Sequence, residues 1–168
     1  QGMSVSAEER EETLEWKYDI VDLGYNYRMD EIRSSLGYSQ LKRINKINKM
    51  REMIAKLYNE KLKNIDGIIT PHKKLDRNHI YHLYTIKVTN EYPITRNQLF
   101  KKLSTNGIGS SVQYVPIHLM SLYKKEYENK IKDFTNSNLL KEQVLSLPIF
   151  PTMNIKQVEK IVSVLRKN

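Results

Sequence analysis

HIYHLYTIKV, residues 79–88, carries the strongest strand signal in the chain, and its neighbours are read from it. Ile80, His82, Tyr84, Ile86 and Val88 alternate with Tyr81, Leu83, Thr85 and Lys87. The run is rich in β-branched and aromatic residues, which suit a half-buried pleated strand. Downstream, Thr95 and Gln98 have the spacing of a capping box ahead of Leu99, Phe100 and Leu103, so a helix follows. Gly107 is placed to end that helix, and residues 108–115 (IGSSVQYV) are expected to return as a strand. Upstream, Ile68-Ile69-Thr70 reads as a short strand between Gly67 and Pro71. Near the end, Asn154 and Gln157 frame one more helix start, with Ile155, Val158, Ile161, Val162 and Leu165 on its apolar face.

From Asp30 to about Asn64 apolar residues recur every three or four positions: Ile32, Leu36, Leu41, Ile44, Ile47, Met50, Ile54, Leu57 and Leu62. That spacing predicts a long helix whose apolar stripe reads as core, with Gly37 as the point of bending or close approach. The heptad is not sustained, which argues against a coiled coil. Before this helix, WKYDIVDLGYNYRMD (16–30) brings Trp16, Tyr18, Tyr25 and Tyr27 around a turn marked by Gly24 and Asn26. The acidic stretch EEREETLE (8–15) reads as a charged helical turn or a disordered segment. Gln1 and Gly2 read as a tag remnant ahead of Met3. The expected organisation is therefore residues 1–15 as remnant and charged segment, followed by one domain over 16–168. The fold class is α/β of the α+β type: a long helix and further helices packed on a small antiparallel or mixed sheet.

Composition narrows the function. With 168 residues and no cysteine, the chain has no disulfides, thiolate metal sites or thiol nucleophiles. No apolar run approaches the roughly 20 residues of a membrane-spanning helix, so no membrane role is expected and a cytoplasmic location is. The net charge is +9, and because residues 1–15 hold five glutamates against Arg10, the rest is more basic still. That excess suits nucleic acid or phosphorylated small molecules. No nucleic-acid motif accompanies it, and the lysines are scattered as on solvated helix faces.

The residues that could carry chemistry are few. There is no phosphate-binding glycine loop with its lysine and no dinucleotide fingerprint. The NGIGSS segment, 106–111, reads as a helix stop feeding a strand. None of the four histidines has the spacing of a zinc protease, and no metal site is expected. His79 and His82, three apart in the strand, are expected on opposite faces. His72 reads as solvated. His118, in QYVPIHLM (113–120), lies where the chain leaves a strand, as a contact to phosphate, sugar or carboxylate, or as a packing residue. Tyr114 is open in the same way: its ring can pack while its hydroxyl donates. In GYNYRM (24–29), Asn26 could donate to a phosphate and Arg28 could make a paired charged contact. The alternative is a turn held by Asn26, with Arg28 paired to Asp22 or Asp30.

Three blocks change the balance. WKYDIVDLGYNYRMDEIRSSLGYSQLKRI (16–44), QYVPIHL (113–119) and LSLPIFPTMNIKQVEKIVSVL (145–165) together resemble, in order and spacing, the C-terminal portion of the DegT/DnrJ/EryC1/StrS aminotransferases. The resemblance implies an enzyme in which pyridoxal 5'-phosphate moves an amino group, usually from glutamate, to a keto group on a nucleotide-linked sugar. It implies a dimer whose active sites draw on both subunits. Asn26 matches the residue that reaches the cofactor phosphate of the neighbouring subunit, and Tyr114 and His118 match positions on the sugar-nucleotide side. Tyr25, Tyr27 and Arg28 would support that interface. Gln113 departs from the family, which often has histidine there.

The family's lysine-bearing large domain has no counterpart in these residues, so the chain is not expected to hold the cofactor covalently or to work alone. None of its own residues is assigned a catalytic step. The expected partner is that large domain or a related aminotransferase subunit, in a homo- or hetero-oligomer. Two rival expectations are a non-catalytic interaction protein built from this domain and a basic nucleic-acid-binding domain.

Overall fold

The computed structural model describes residues 2–4, 6–13, 17–127 and 133–166. The expected domain boundary at 15/16, Trp16 with it, and Gln1 fall outside these residues. The chain divides into two compact units, Gln1–Arg43 and Ile44–Asn168.

The first unit contains helices α1 (Ala7–Thr13) and α2 (Glu31–Leu41). Residues at its start pair with those after α1: Met3 bridges Ile20 in antiparallel fashion, and the Ser4 N–H donates to the Asp19 carbonyl at 2.8 Å. Gly2, read from sequence as part of a tag remnant, takes part in this pairing by accepting the Val21 N–H at 2.8 Å. Asp30 caps α2, its carboxylate accepting the Arg33 N–H at 2.9 Å. The single helix expected over 30–64 ends at Leu41, and the next begins at Ile44. The break is not at Gly37, which lies inside α2 with nothing near its missing side chain. It comes where the ladder tightens and the Arg43 N–H turns to the Gln40 carbonyl three residues back, at 3.0 Å. The expected core stripe therefore divides. On α2, Ile32 is 82% and Leu36 60% exposed, and no residue of the helix is buried.

The second unit runs α3 (Ile44–Leu62), β1 (Ile68–Ile69), β2 (Tyr84–Val88), α4 (Arg96–Thr105), β3 (Ser111–Val112), a 3-10 turn (Ile117–Leu119), α5 (Ser121–Tyr127), α6 (Thr135–Gln143), β4 (Val144–Leu147) and α7 (Ile155–Arg166). Four strands form a sheet in the order β1-β2-β4-β3, every pairing antiparallel. Tyr84 opposes Leu147 and Ile86 opposes Leu145, and all four are buried. Helices α3, α4 and α7 share their core: Tyr58 and Leu62, Leu99 and Leu103, and Val158, Ile161, Val162 and Leu165. Ile155, expected on the apolar face of α7, is exposed, and Val164 is buried on that helix.

On the central strands, Thr85 opposes Ser146 and their hydroxyls meet at 2.9 Å. Helix α4 starts at the expected capping box, with Thr95 Oγ1 accepting the Gln98 N–H and Gln98 Oε1 accepting the Thr95 N–H. The same reciprocal pair forms between Asn154 and Gln157 ahead of α7. Gly67 is required where it stands: its φ is +74°, and a Cβ would lie 2.1 Å from the Tyr92 nitrogen.

The strand expected over 79–88 is shorter. Residues 79–83 leave the ladder because Tyr81 takes a left-handed backbone, φ 49°, and buries its ring. The strand expected over 108–115 likewise contracts to Ser111–Val112.

Arg96, on the first turn of α4, is a cation with only 6% exposure. Its Nη2 donates to the Lys141 carbonyl at 2.8 Å and its Nη1 to the Val144 carbonyl at 3.2 Å, closing the C-terminus of α6. Both are peptide oxygens that a helix end leaves without intrahelical partners. Arg96→Ala is therefore expected to cost about 2 kcal/mol, a charged hydrogen-bonded group being lost together with the satisfaction of two part-buried carbonyls. Urea unfolding followed by circular dichroism measures it. A loss below a few tenths of a kcal/mol would show that water replaces the guanidinium.

Candidate functional site

Residues 23–30 of the first unit lead into the cap of α2. Tyr25 and Tyr27 stack in parallel, ring centres 5.0 Å apart, and both are largely exposed. Asn26 stands between them in sequence, and it and Arg28 are exposed. Asp30 is engaged by Arg33, whose Nη1 lies 2.9 Å from its second carboxylate oxygen, and Asp22 accepts the Leu23 N–H at 2.7 Å. The stretch contains an amide, a guanidinium and two phenols, mostly donors, beside a helix start. That donor set fits an oxyanion such as a phosphate.

In the second unit, Tyr114 and His118 lie on one strap between β3 and α5 and have opposite characters. Tyr114 is 89% exposed. His118 is 5% exposed: its ring stacks on Phe134 with centres 4.3 Å apart, and its Nε2 meets Asn138 Oδ1 at 2.8 Å. The strap is tied at both ends. At one end Gln113 donates through Nε2 to Ser146 Oγ, which is buried in the sheet and bonded to Thr85. At the other, the His118 imidazole is set against Phe134 and Asn138. Tyr114 is held out between two anchors. Gln113, Asn138 and Phe134 were not singled out from sequence as structural partners of this strap. No local signal marks them, because their partners lie 20 to 33 residues away where hydrogen bonds are concerned.

His79 and His82 also depart from expectation. They are not on opposite faces of a strand, since 79–83 is not one, and both line a groove beside β2. Among the described residues, no three His, Asp or Glu side chains are grouped so as to hold a metal ion. Among the same residues, no helix is long and apolar enough to cross a membrane.

Residues 1–166 match the DegT/DnrJ/EryC1/StrS aminotransferase family. The chain belongs to that family. It is 38% identical over 153 residues to an uncharacterised protein of Methanocaldococcus jannaschii, covering 90% of this chain and 40% of that protein. It is 33% identical over 150 residues to a UDP-4-amino-4,6-dideoxy-N-acetyl-beta-L-altrosamine transaminase of Campylobacter jejuni, covering 89% of this chain and 39% of the enzyme. Among solved structures, Helicobacter pylori PseC, an aminotransferase of pseudoaminic acid biosynthesis, superposes with a TM-score of 0.79 at 26% identity. That superposition covers 90% of this chain and 40% of PseC. The chain spans about two-fifths of the length of these aminotransferase relatives. The small antiparallel sheet with helices packed on it is the architecture of the C-terminal domain of fold-type I aminotransferases. The family works with pyridoxal phosphate.

Proposed function

We propose that this chain is the C-terminal fragment or subunit of an enzyme that transfers an amino group from glutamate to a keto group on a nucleotide-linked sugar. The observation that carries the reading is the family match over residues 1–166, which includes GYNYRM and the QYVPIHL strap. The transaminase relative from Campylobacter jejuni, named for a UDP-linked amino sugar, supports the substrate class. Pyridoxal phosphate, when bound, supplies the electron sink that lets nitrogen move between carbons.

This chain's own residues bind and position. Asn26 donates its amide to the cofactor phosphate across a subunit boundary, with Arg28 adding positive charge and Tyr25 and Tyr27 supporting the segment. Tyr114 offers its hydroxyl to the sugar nucleotide. His118 shapes the same side from beneath, its ring fixed by Phe134 and Asn138. The lysine that anchors the cofactor comes from the large domain, which is the proposed partner within a cytoplasmic homo- or hetero-oligomer. The exposed Ile32 and Leu36 favour a partner surface for α2. They also favour a second reading, in which the domain binds such a partner without catalysis.

Mixing the chain with a lysine-bearing large domain, pyridoxal phosphate, glutamate and a keto sugar nucleotide tests both readings. Amino transfer only in the mixture supports the enzyme, whereas a stable complex without turnover supports the interaction protein. In the active mixture, Asn26→Ala is expected to weaken cofactor retention about tenfold or more, the worth of one charge-assisted hydrogen bond. Cofactor absorbance after gel filtration measures it, and unchanged retention removes Asn26 from the cofactor.

A further inference from the structure

The loop between β1 and β2, residues 70–83, has almost no regular structure, yet its shape is strongly determined. Nη1 of Arg51 on α3 is shared by three carbonyls, those of Tyr81 at 3.1 Å and of His82 and Ile149 at 3.2 Å each. Tyr81 is held left-handed, a conformation that costs a non-glycine residue about 1–2 kcal/mol and persists only where the surroundings impose it. In that conformation its N–H donates to His79 Nδ1 at 2.9 Å, and the two rings lie 4.2 Å apart. An imidazole that accepts at Nδ1 carries its proton on Nε2, so the His79 ring keeps one donor for another partner.

The loop and the start of β2 line an open groove of about 640 Å³. Its wall includes His72, Lys74, Arg77, His79 and His82, with Thr85 from β2, and no carboxylate lines it. The nearest counter-charge on the loop is Asp76, which Arg77 grips with Nε at 2.8 Å and Nη2 at 2.7 Å. Lys73 turns away to Glu52 at 3.3 Å, whereas Lys74 lines the groove and forms no ion pair among the described residues. The wall thus sets hydrogen-bond donors and positive charge among the apolar Pro71, Ile80 and Leu83, beside a backbone that Arg51 clamps at Tyr81 and His82. Preorganised donors of this kind suit an oxyanion with several acceptor oxygens and more than one charge.

We propose that this groove is a binding site for a phosphate-class anion such as a diphosphate. Lys74 supplies charge, Arg77 adds the guanidinium N–H groups that Asp76 leaves over, and His79 and His82 supply ring N–H donors. The site belongs to residues 71–85 and stands whether or not the aminotransferase reading does. A free pyrophosphate and the diphosphate of a nucleotide present the same oxygens, and affinity separates the two sources.

The test is calorimetric titration of the full chain with inorganic pyrophosphate at about 0.1 M salt, which screens non-specific surface attraction. Saturable binding below about 1 mM is expected, and imidazole signals of His79 and His82 should move along the same curve. The double variant Lys74→Ala/Arg77→Ala is expected to weaken binding at least tenfold, whereas Lys156→Ala on α7 should leave it unchanged. All three substitutions are at exposed residues, and circular dichroism verifies that the fold persists. Uridine diphosphate binding more tightly than pyrophosphate, with the same dependence on Lys74 and Arg77, would identify a nucleotide's diphosphate as the occupant. Equal affinities would identify the free anion. Absence of saturation up to about 10 mM pyrophosphate, or a double variant that binds as the parent does, would overturn the proposal.

Discussion

Tyr84→Ala is expected to destabilise the 44–168 unit by about 3–5 kcal/mol, the loss typical of removing a large buried aromatic side chain. Tyr84 is fully buried at the start of the central strand β2, and its ring stacks on Tyr58 with centres 4.7 Å apart. Its hydroxyl donates to Asn59 Oδ1 at 2.6 Å. The Tyr58 hydroxyl in turn donates to the Pro148 carbonyl at 2.9 Å, so the pair ties α3 to the segment leaving β4. Truncation leaves a cavity where helix and sheet meet, and Tyr58 loses the face it stacks on. Since domains are stable by about 5–15 kcal/mol, the variant should be close to unfolding at room temperature. Tyr84→Phe isolates the hydroxyl and should cost only about 1 kcal/mol. Amide exchange over Tyr84–Val88, read beside a urea titration, gives both values. Equal losses in the two variants would mean that the ring is not a keystone of the core.

The same two tyrosines govern behaviour in alkali. Burial pushes both phenols well above the ordinary tyrosine range, with Tyr58 adding to the shift of Tyr84. In the unfolded chain they ionise near pH 10, while in the folded chain they keep their protons. Above pH 10 the unfolded state therefore binds fewer protons than the native state, and stability falls as pH rises. Below pH 10 both states hold the protons and the two phenols contribute no slope. Each phenol's slope approaches about 1.4 kcal/mol per pH unit well above pH 10, so the pair should remove about 2 kcal/mol between pH 10 and 11. Tyr58→Phe should halve that slope while lowering stability modestly at neutral pH through the lost bond to Pro148. Urea midpoints between pH 8 and 11 measure it. An alkaline limb unchanged in Tyr58→Phe would assign the loss to other groups.

Features decided by near neighbours were legible in the sequence. The capping box at Thr95 and Gln98 and the matching pair at Asn154 and Gln157 rest on contacts within about one turn. Residues 84–88 behave as their alternation requires. Where the reading failed, a distant group had the deciding vote. Residues 79–83 alternate as well as 84–88 do, yet Arg51, some 30 residues upstream, takes the carbonyls of Tyr81 and His82 and holds that stretch out of the ladder. Periodicity continues through residues 42–43, and nothing in composition marks the change of hydrogen-bond spacing that ends α2. For the candidate site, Asn26, Tyr114 and His118 are proposed from resemblance and local chemistry. That Tyr114 is solvent-facing while His118 is enclosed depends on Asn138 and Phe134, which periodicity does not connect to the strap.

The Arg51 clamp has a consequence for protein engineering. Its one guanidinium nitrogen gathers carbonyls from positions 81, 82 and 149, so the cationic loop is not a self-contained cassette. Transplanting residues 70–83 onto another scaffold would carry over the histidines, Lys74 and Arg77, but not the cation that sets the backbone beneath them. A working graft needs a donor rising from the helix below and a third carbonyl from the strand exit beside it. By the same logic, diversifying the loop to change its ligand should leave Arg51 and Tyr81 fixed and vary only the side chains facing the groove.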